Sequence, residues 1–201
     1  YAYDQRGFGG APHRGLWPGT AALTADLRAA VAAVRARHPG TPIHLFGESM
    51  GGAVVMVTMA GPQPPDVASA ILAAPAVWGR SSMPWYQTTL LWMAVHTLPS
   101  RQLTGRGLGI QASDNIEMLK ALGRDPMVIK ATRVDTVWGL VNLMDEAMAA
   151  APALDGRLLI LYGEHDQLIP PGAMAEMRTG LPAEGAARRR FALYPDGWHM
   201  L

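Results

Sequence analysis

The chain has no cysteine, which excludes a disulfide framework, a thiolate metal site and a cysteine nucleophile while leaving every redox compartment open. It has no surplus of charge: 17 Lys and Arg stand against 16 Asp and Glu, so the electrostatic footprint of a nucleic-acid binder is missing. The one dense basic run, residues 188–190, reads as a solvated strand edge. Long apolar runs are missing too. The longest charge-free stretch, residues 81–100, reaches spanning length only by including Ser81, Ser82, Gln87, Thr88, Thr89, His96 and two prolines, so no integral membrane segment is expected. There is no tandem repeat and no low-complexity tract. The first residue is Tyr1, and no charged-then-apolar leader stands before the first turn; a beginning upstream of this residue is expected. No compartment can be read from such a start, and the cytoplasm or the periphery of a membrane is the expectation.

What is present fits one globular domain: 201 residues, 49% apolar and 16% charged, long enough for a sizeable core. Short apolar runs alternate with longer stretches of helical period, the pattern of an α/β protein with a mostly parallel sheet flanked by helices. Strands are expected at residues 1–3, 43–46, 70–74, 158–162 and 191–194. A helix is expected over 20–37, with Leu23, Leu27, Val31 and Val34 on one stripe and Pro39-Gly40 ending it. A second should run over 49–60, stopped by Gly61-Pro62, and a third over 171–179, with prolines in its first turn, where a missing N–H costs little.

Residues 77–152 break this alternation and read as a helical cap inserted between two parts of the core, 1–76 and 153–201. Trp78, Trp85, Trp92 and Trp138 fall in it, with Met83, Met93, Met118, Met127, Met144 and Met148. Most of these read as the insertion's own packing. Residues 83–98, however, would be apolar on nearly every face of a helix, more than one buried stripe requires. A second apolar surface would be free to meet a lipid-like substrate, which makes Met83, Trp85 and Trp92 candidate substrate-binding residues.

The strongest local signal is Gly47-Glu48-Ser49-Met50-Gly51-Gly52, after the apolar run Ile43-His44-Leu45-Phe46 and before Ala53-Val54-Val55-Met56. Strand, sharp turn and helix are the context of a nucleophile elbow. There a serine is held with its hydroxyl away from the sheet, and small neighbours, here Gly47 and Gly51, let strand and helix approach. The N–H of Met50, at the helix start, would point at the oxyanion formed when Ser49 attacks a carbonyl.

A serine hydroxyl is a poor nucleophile near neutral pH and needs a base oriented by a buried acid. Residues 158–162 form an apolar run leading into Gly163-Glu164-His165-Asp166, and Asp166 stands where a loop off a strand's carboxyl end would carry it to the site. Glu164 is the rival acid. Six histidines compete as base. His44 in a buried strand and His38 at a helix end are more simply structural, and His165 is beside the acid, where adjacent side chains on a turn usually diverge; His13 and His96 complete the six. His199 follows the last strand in Tyr194-Pro195-Asp196-Gly197-Trp198-His199, where turn residues would lift it toward Ser49. His165 with Asp166 has no third and fourth ligand at helical or hairpin spacing, so no zinc site is expected. Gly7-Phe8-Gly9-Gly10 lacks the phosphate-loop pattern. No cofactor is expected.

The elbow, the Gly-Glu-His-Asp turn, the terminal Gly-Trp-His and the opening Tyr3-Asp4-Gln5-Arg6-Gly7-Phe8-Gly9 together make the chain resemble the monoacylglycerol lipase and lysophospholipase-like branch of the α/β-hydrolase family. The resemblance spans the chain outside the insertion. It implies an α/β-hydrolase fold, a structural role for Asp4 and Arg6 beside the elbow, and an insertion that caps an acyl pocket. Family members carry about three strands before the Asp-x-Arg-Gly turn, and a loop among them supplies a second oxyanion donor. This sequence holds none of them, so the resemblance implies that the chain by itself lacks full activity.

The expected function is hydrolysis of carboxylic esters, of monoacylglycerol or lysophospholipid type, through an acyl-enzyme. The partners are then a small acyl ester or lipid and, peripherally, a lipid surface. Aminopeptidase, thioesterase or acyl-transfer chemistry and an inactive fragment are the alternatives. An aminopeptidase would need cap carboxylates for a substrate amine, and Asp114, Glu117, Asp125, Asp135, Asp145 and Glu146 are those available.

Overall fold

A computed structural model describes residues 1–105, 107 and 109–201. Along the chain its strands are β1 (His44–Glu48), β2 (Ser69–Ala73), β3 (Gln102–Leu103), β4 (Thr132–Arg133), β5 (Leu158–Gly163) and β6 (Arg189–Tyr194). Its helices are α1 (Thr20–Arg37), α2 (Met50–Ala60), α3 (Trp85–Thr97), α4 (Ile116–Arg124), α5 (Val134–Ala150) and α6 (Pro171–Gly180). Four strands form the main sheet in the order β1-β2-β5-β6, every pair parallel.

The register explains the core. Leu45, Ala70 and Leu158 stand side by side across three strands, and Gly47, Leu72 and Ile160 form the next row on the same face. Each of these rows is buried. Against them lies α2, whose sequence MGGAVVMVTMA has no charged residue. A helix apolar all round must be covered all round, and α2 is packed by β1 and β2 beneath, α1 on one side and α5 on the other. Its single buried hydroxyl, Thr58 Oγ1, donates to Val54 O at 2.7 Å, which removes the penalty of an unpaired polar group. From α1 come Leu23, Leu27 and Val31, three of the four expected stripe residues, in the same apolar cluster, while Val34 is only half-buried.

Residues 1–3 form no strand, contrary to expectation. A strand exists only where a neighbour accepts its ladder, and here a groove of about 740 Å³, lined by Tyr1, Tyr3, Leu27, Val31, residues 43–46 and Val54, separates them from β1. Among the described residues, no strand pairs with the outer edge of β1. Phe46 is 62% exposed, and His44, expected to be buried, is exposed and bonded to Ser69 Oγ at 2.7 Å. Only one face of β1 is covered, so its alternating side chains divide between core and solvent.

The turn after residue 3 is built as the sequence implies. Asp4 Oδ2 accepts the N–H of Gly10 at 2.8 Å, and a methyl at Gly9 would stand 2.4 Å from the Asp4 carboxyl carbon. Arg6 forks onto both oxygens of Asp26 in α1 at 3.0 and 2.8 Å. That bond holds the Asp26 carboxyl below the usual carboxylate range.

The stretch expected as a cap divides in the structure. α5 is a core helix, with Val141, Leu143, Met144 and Ala147 in the central cluster. α3 and α4 have no fully buried residue, and the small antiparallel pair β3–β4 joins the segment after α3 to the segment before α5, where no strand was expected. The basic run leads into the edge strand β6 with Arg188 and Arg190 exposed, as expected. Arg188 pairs with Asp155 at 2.7 Å, and the half-buried Arg189 donates to the carbonyls of Pro182, Glu184 and Leu154. Among the described residues no helix is long and apolar enough to cross a membrane.

Candidate active site

Ser49 links β1 to α2 with φ 51° and ψ −117°, a backbone that a residue with a Cβ adopts only at a cost of ~1–3 kcal/mol. The surroundings enforce it. Its N–H donates to Ala73 O at 2.9 Å, while its own carbonyl accepts from Ala76 N at 2.9 Å and Ala53 N at 3.2 Å. The turn is thus bound to the end of the neighbouring strand as well as to its own helix. A methyl at Gly47 would lie 2.5 Å from Gly51 O, and one at Gly52 would lie 2.9 Å from Pro75 Cβ. The crowding expected at Gly47 and Gly51 is therefore found at Gly47 and Gly52. Gly51 turns outward, where a methyl would meet only Gln5 Nε2 at 3.5 Å, an ordinary contact. Met50 opens α2, and the first amides of a helix have no intrahelical acceptor.

Asp166 follows β5 and is buried. Its Oδ1 accepts from Leu168 N at 2.8 Å and Ile169 N at 2.9 Å, and its Oδ2 accepts from His199 Nδ1 at 2.8 Å. Behind it the Tyr162 hydroxyl donates to Ile169 O at 2.7 Å. Burial and the Asp166 charge push that phenol up to about 12.

His199 is buried as well, on the segment after β6. Neighbouring strands stand ~4.8 Å apart, so a residue rising straight from β6 would be roughly 14 Å to the side of β1, three strands away. The segment instead folds back over the end of β5. Gly197 O accepts from His165 N at 2.9 Å, and Tyr194 O accepts from Glu164 N at 2.9 Å. A methyl at Gly163 would stand 2.3 Å from Trp198 O and 2.4 Å from Gly197 O. Gly163 is what lets the histidine segment cross β5 so closely, a need that sequence reading did not assign to it. A glycine ending a strand run is the signal for such an approach.

Ser49, Asp166 and His199 thus all stand just past the carboxyl ends of parallel strands of one sheet. Asp166 and His199 are joined directly; the Ser49 hydroxyl is bonded to no other group among the described residues. Of the rivals, Glu164 is exposed, His165 turns its ring edge-on to Trp198, and His96 bonds to Trp92 O on α3. With Nδ1–H committed to Asp166, the Nε2 of His199 is left as an acceptor. Met83 packs against the core cluster, while Trp85 is 78% and Trp92 53% exposed on α3. Neither these three nor Ser49 lines the large groove beside β1. No group of three or more His, Cys, Asp or Glu among the described residues is placed to hold a metal ion.

Comparison with known proteins agrees with this architecture. The whole chain, residues 1–201, matches the model of the hydrolase family described as serine aminopeptidase, S33. A monoacylglycerol lipase of Mycolicibacterium smegmatis is 25% identical over 211 residues, covering 99% of this chain and 70% of the lipase. The crystal structure of the Paleococcus ferrophilus monoacylglycerol lipase superposes with a TM-score of 0.78 at 19% identity, over 99% of this chain and 74% of that one. A soluble variant of the monoglyceride lipase from Saccharomyces cerevisiae, in complex with a substrate analog, gives 0.74 at 18% identity, over 98% and 68%.

Proposed function

Because the chain belongs to the serine aminopeptidase S33 family of α/β-hydrolases, we propose that it is a serine hydrolase of carboxylic esters in which Ser49 is the nucleophile, His199 the base and Asp166 its orienting acid. The observation that carries the reading is the buried bond from His199 Nδ1 to Asp166 Oδ2 at 2.8 Å, on the sheet edge where Ser49 sits in its strained turn. Ser49 Oγ attacks the ester carbonyl while His199 Nε2 takes its proton and Asp166 stabilises the imidazolium. The oxyanion lies against the Met50 N–H. Collapse expels the alcohol, which takes the proton back from His199. Water then repeats the sequence on the acyl-enzyme, releasing the acid and restoring Ser49.

The favoured substrate is a monoacylglycerol or lysophospholipid-type ester. Its support is α3, where Trp85, Tyr86, Leu90, Trp92 and Met93 are all exposed on a helix with no charged side chain. In this reading residues 77–133, the part of the insertion outside the core helix α5, cap the site, Met83, Trp85 and Trp92 meet the acyl chain, and the same face touches lipid peripherally. An aminopeptidase role is less well supported. Asp145 is held by Arg80, Asp135 by Arg133, Glu117 by Lys120 and Glu146 by Thr20, while Asp125 accepts from Met127 N. Five of the six cap carboxylates are thereby committed.

A fluorophosphonate probe tests the assignment without requiring turnover. Labelling should add one phosphonyl mass to the peptide bearing Ser49, and Ser49→Ala should abolish it. In a turnover assay the same substitution should lower the rate by ~10⁴ or more. Labelling elsewhere, or faster cleavage of aminoacyl anilides than of acyl esters, would overturn the reading.

A further inference from the structure

We propose that the loop carrying Gln111 and Ala112 holds His199 in place, with Gln167 as the positioning residue that ties this loop to the acid. The proposal rests on the reading of His199 as the base. Three dipeptides and three hydrogen bonds form one closed ring. Asp166 Oδ2 accepts from His199 Nδ1 at 2.8 Å. The next residue, Met200, donates its N–H to Ala112 O at 2.9 Å. The residue before Ala112, Gln111, donates its N–H to the Gln167 side-chain Oε1 at 2.8 Å, and Gln167 follows Asp166. The imidazole is thus bracketed, by the acid on its own ring nitrogen and by the 111–112 loop on the amide that follows it.

The loop is itself braced. Gln111 Nε2 donates to Ser113 O at 2.8 Å, and Asn115 N donates to Ser113 Oγ at 3.2 Å. Ser113 is buried although α4, which follows it, has no buried residue. Asn115 then caps α4 by accepting from Met118 N at 3.0 Å. A displacement of α4 is therefore carried through Ser113 and Ala112 to Met200 and the histidine. No bond among the described residues reaches His199 from the strand β6 that delivers it, and the four residues between β6 and His199 belong to no helix or strand. Without the Met200–Ala112 bond, the segment is fixed by the Asp166 bond, by Gly197 O on His165 N and by the close passage over Gly163. Loss of one outer bond should leave the fold intact and degrade alignment, and small misplacements of a reacting group are expensive in rate.

The test uses the 201-residue chain with Gln167→Ala and Gln167→Glu; the second keeps an acceptor for the Gln111 N–H. Three readouts are compared: hydrogen exchange at the Met200 amide, the downfield proton signal of His199 Nδ1–H, and kcat against KM on a soluble ester. Gln167→Ala should speed Met200 exchange by roughly tenfold, broaden the Nδ1–H signal and lower kcat by roughly tenfold with KM unchanged. The melting temperature should hold, since Gln167 is exposed. Gln167→Glu should restore all three. Unchanged Met200 exchange and an unchanged Nδ1–H signal in Gln167→Ala would overturn the proposal, as would a kcat loss that tracks a lowered melting temperature and is not rescued by Glu. If exchange and the proton signal respond while the fluorophosphonate probe leaves Ser49 of the unaltered chain unlabelled, the ring stands and the serine-hydrolase reading falls.

Discussion

Tyr162 sits four residues before Asp166, with its hydroxyl donating to Ile169 O at 2.7 Å, so it pins the far end of the turn whose near end bears Asp166. Burial and the Asp166 charge raise its phenol from 10.0 to about 12. The folded protein therefore keeps this proton at a pH where the unfolded chain releases it. The associated stability is fully present below pH 10 and is lost as pH rises toward 12. Tyr162→Phe should cost ~1–3 kcal/mol near neutrality by leaving Ile169 O unpaired, yet the difference from the unaltered protein should shrink above pH 10. Thermal melts from pH 8 to 12 would test this; parallel curves would refute it. At this scale the sequence shows residues whose surroundings are local. Asp166 ends an apolar run and His199 follows one, and both lie just past strands. Gly163 looked like part of the same turn, because its real constraint, the passage of Gly197 and Trp198, comes from a segment remote in the chain.

Elements were legible to the degree that their causes are local. α1 spans Thr20–Arg37 and α2 spans Met50–Ala60, as periodicity and the stops at Pro39-Gly40 and Gly61-Pro62 indicate, because helices bond within themselves. Residues 1–3 are apolar enough for a strand, but a strand depends on a partner that their sequence cannot supply. α5 was read as part of the insertion, and only its contact with α2 makes it a core helix. Gly139 of α5 offers a test of that packing. A methyl there would lie 2.3 Å from the Trp17 ring, whereas a methyl at Gly123 of α4 would meet nothing within 4 Å. Alanine in place of glycine favours a helix by about 1 kcal/mol, while overpacking costs ~1–3 kcal/mol. Gly123→Ala should therefore raise the melting temperature slightly. Gly139→Ala should lower it and shift Trp17 fluorescence as the indole is displaced. A stabilising Gly139→Ala would mean that Trp17 does not pack on α5.

On the scale of the whole molecule, the sheet of this chain ends at β1 without cover. The groove beside it is large, Phe46 projects from β1, and among the described residues no strand pairs with the outer backbone groups of β1. Exposed flat edges recruit other strands unless charge or proline blocks them, and neither His44-Leu45-Phe46-Gly47 nor the facing residues 1–3 contain a lysine, arginine or proline. A second apolar surface competes with it, the outer face of α3 with Trp85 78% exposed. The two make different predictions for association of the 201-residue chain. Two copies joined through β1 by a two-fold axis would run antiparallel, bringing one position 46 near the other. Phe46→Lys would then set like charges against each other across the strands and remove an apolar contact. Each effect is worth up to ~1 kcal/mol for a cross-strand pair, so association should weaken by at least fivefold in sedimentation velocity runs over a concentration series. Trp85→Lys should leave the β1 contact unchanged. If instead Trp85→Lys abolishes association and Phe46→Lys does not, the copies meet through α3, and the open edge of β1 is protected by the depth of its groove.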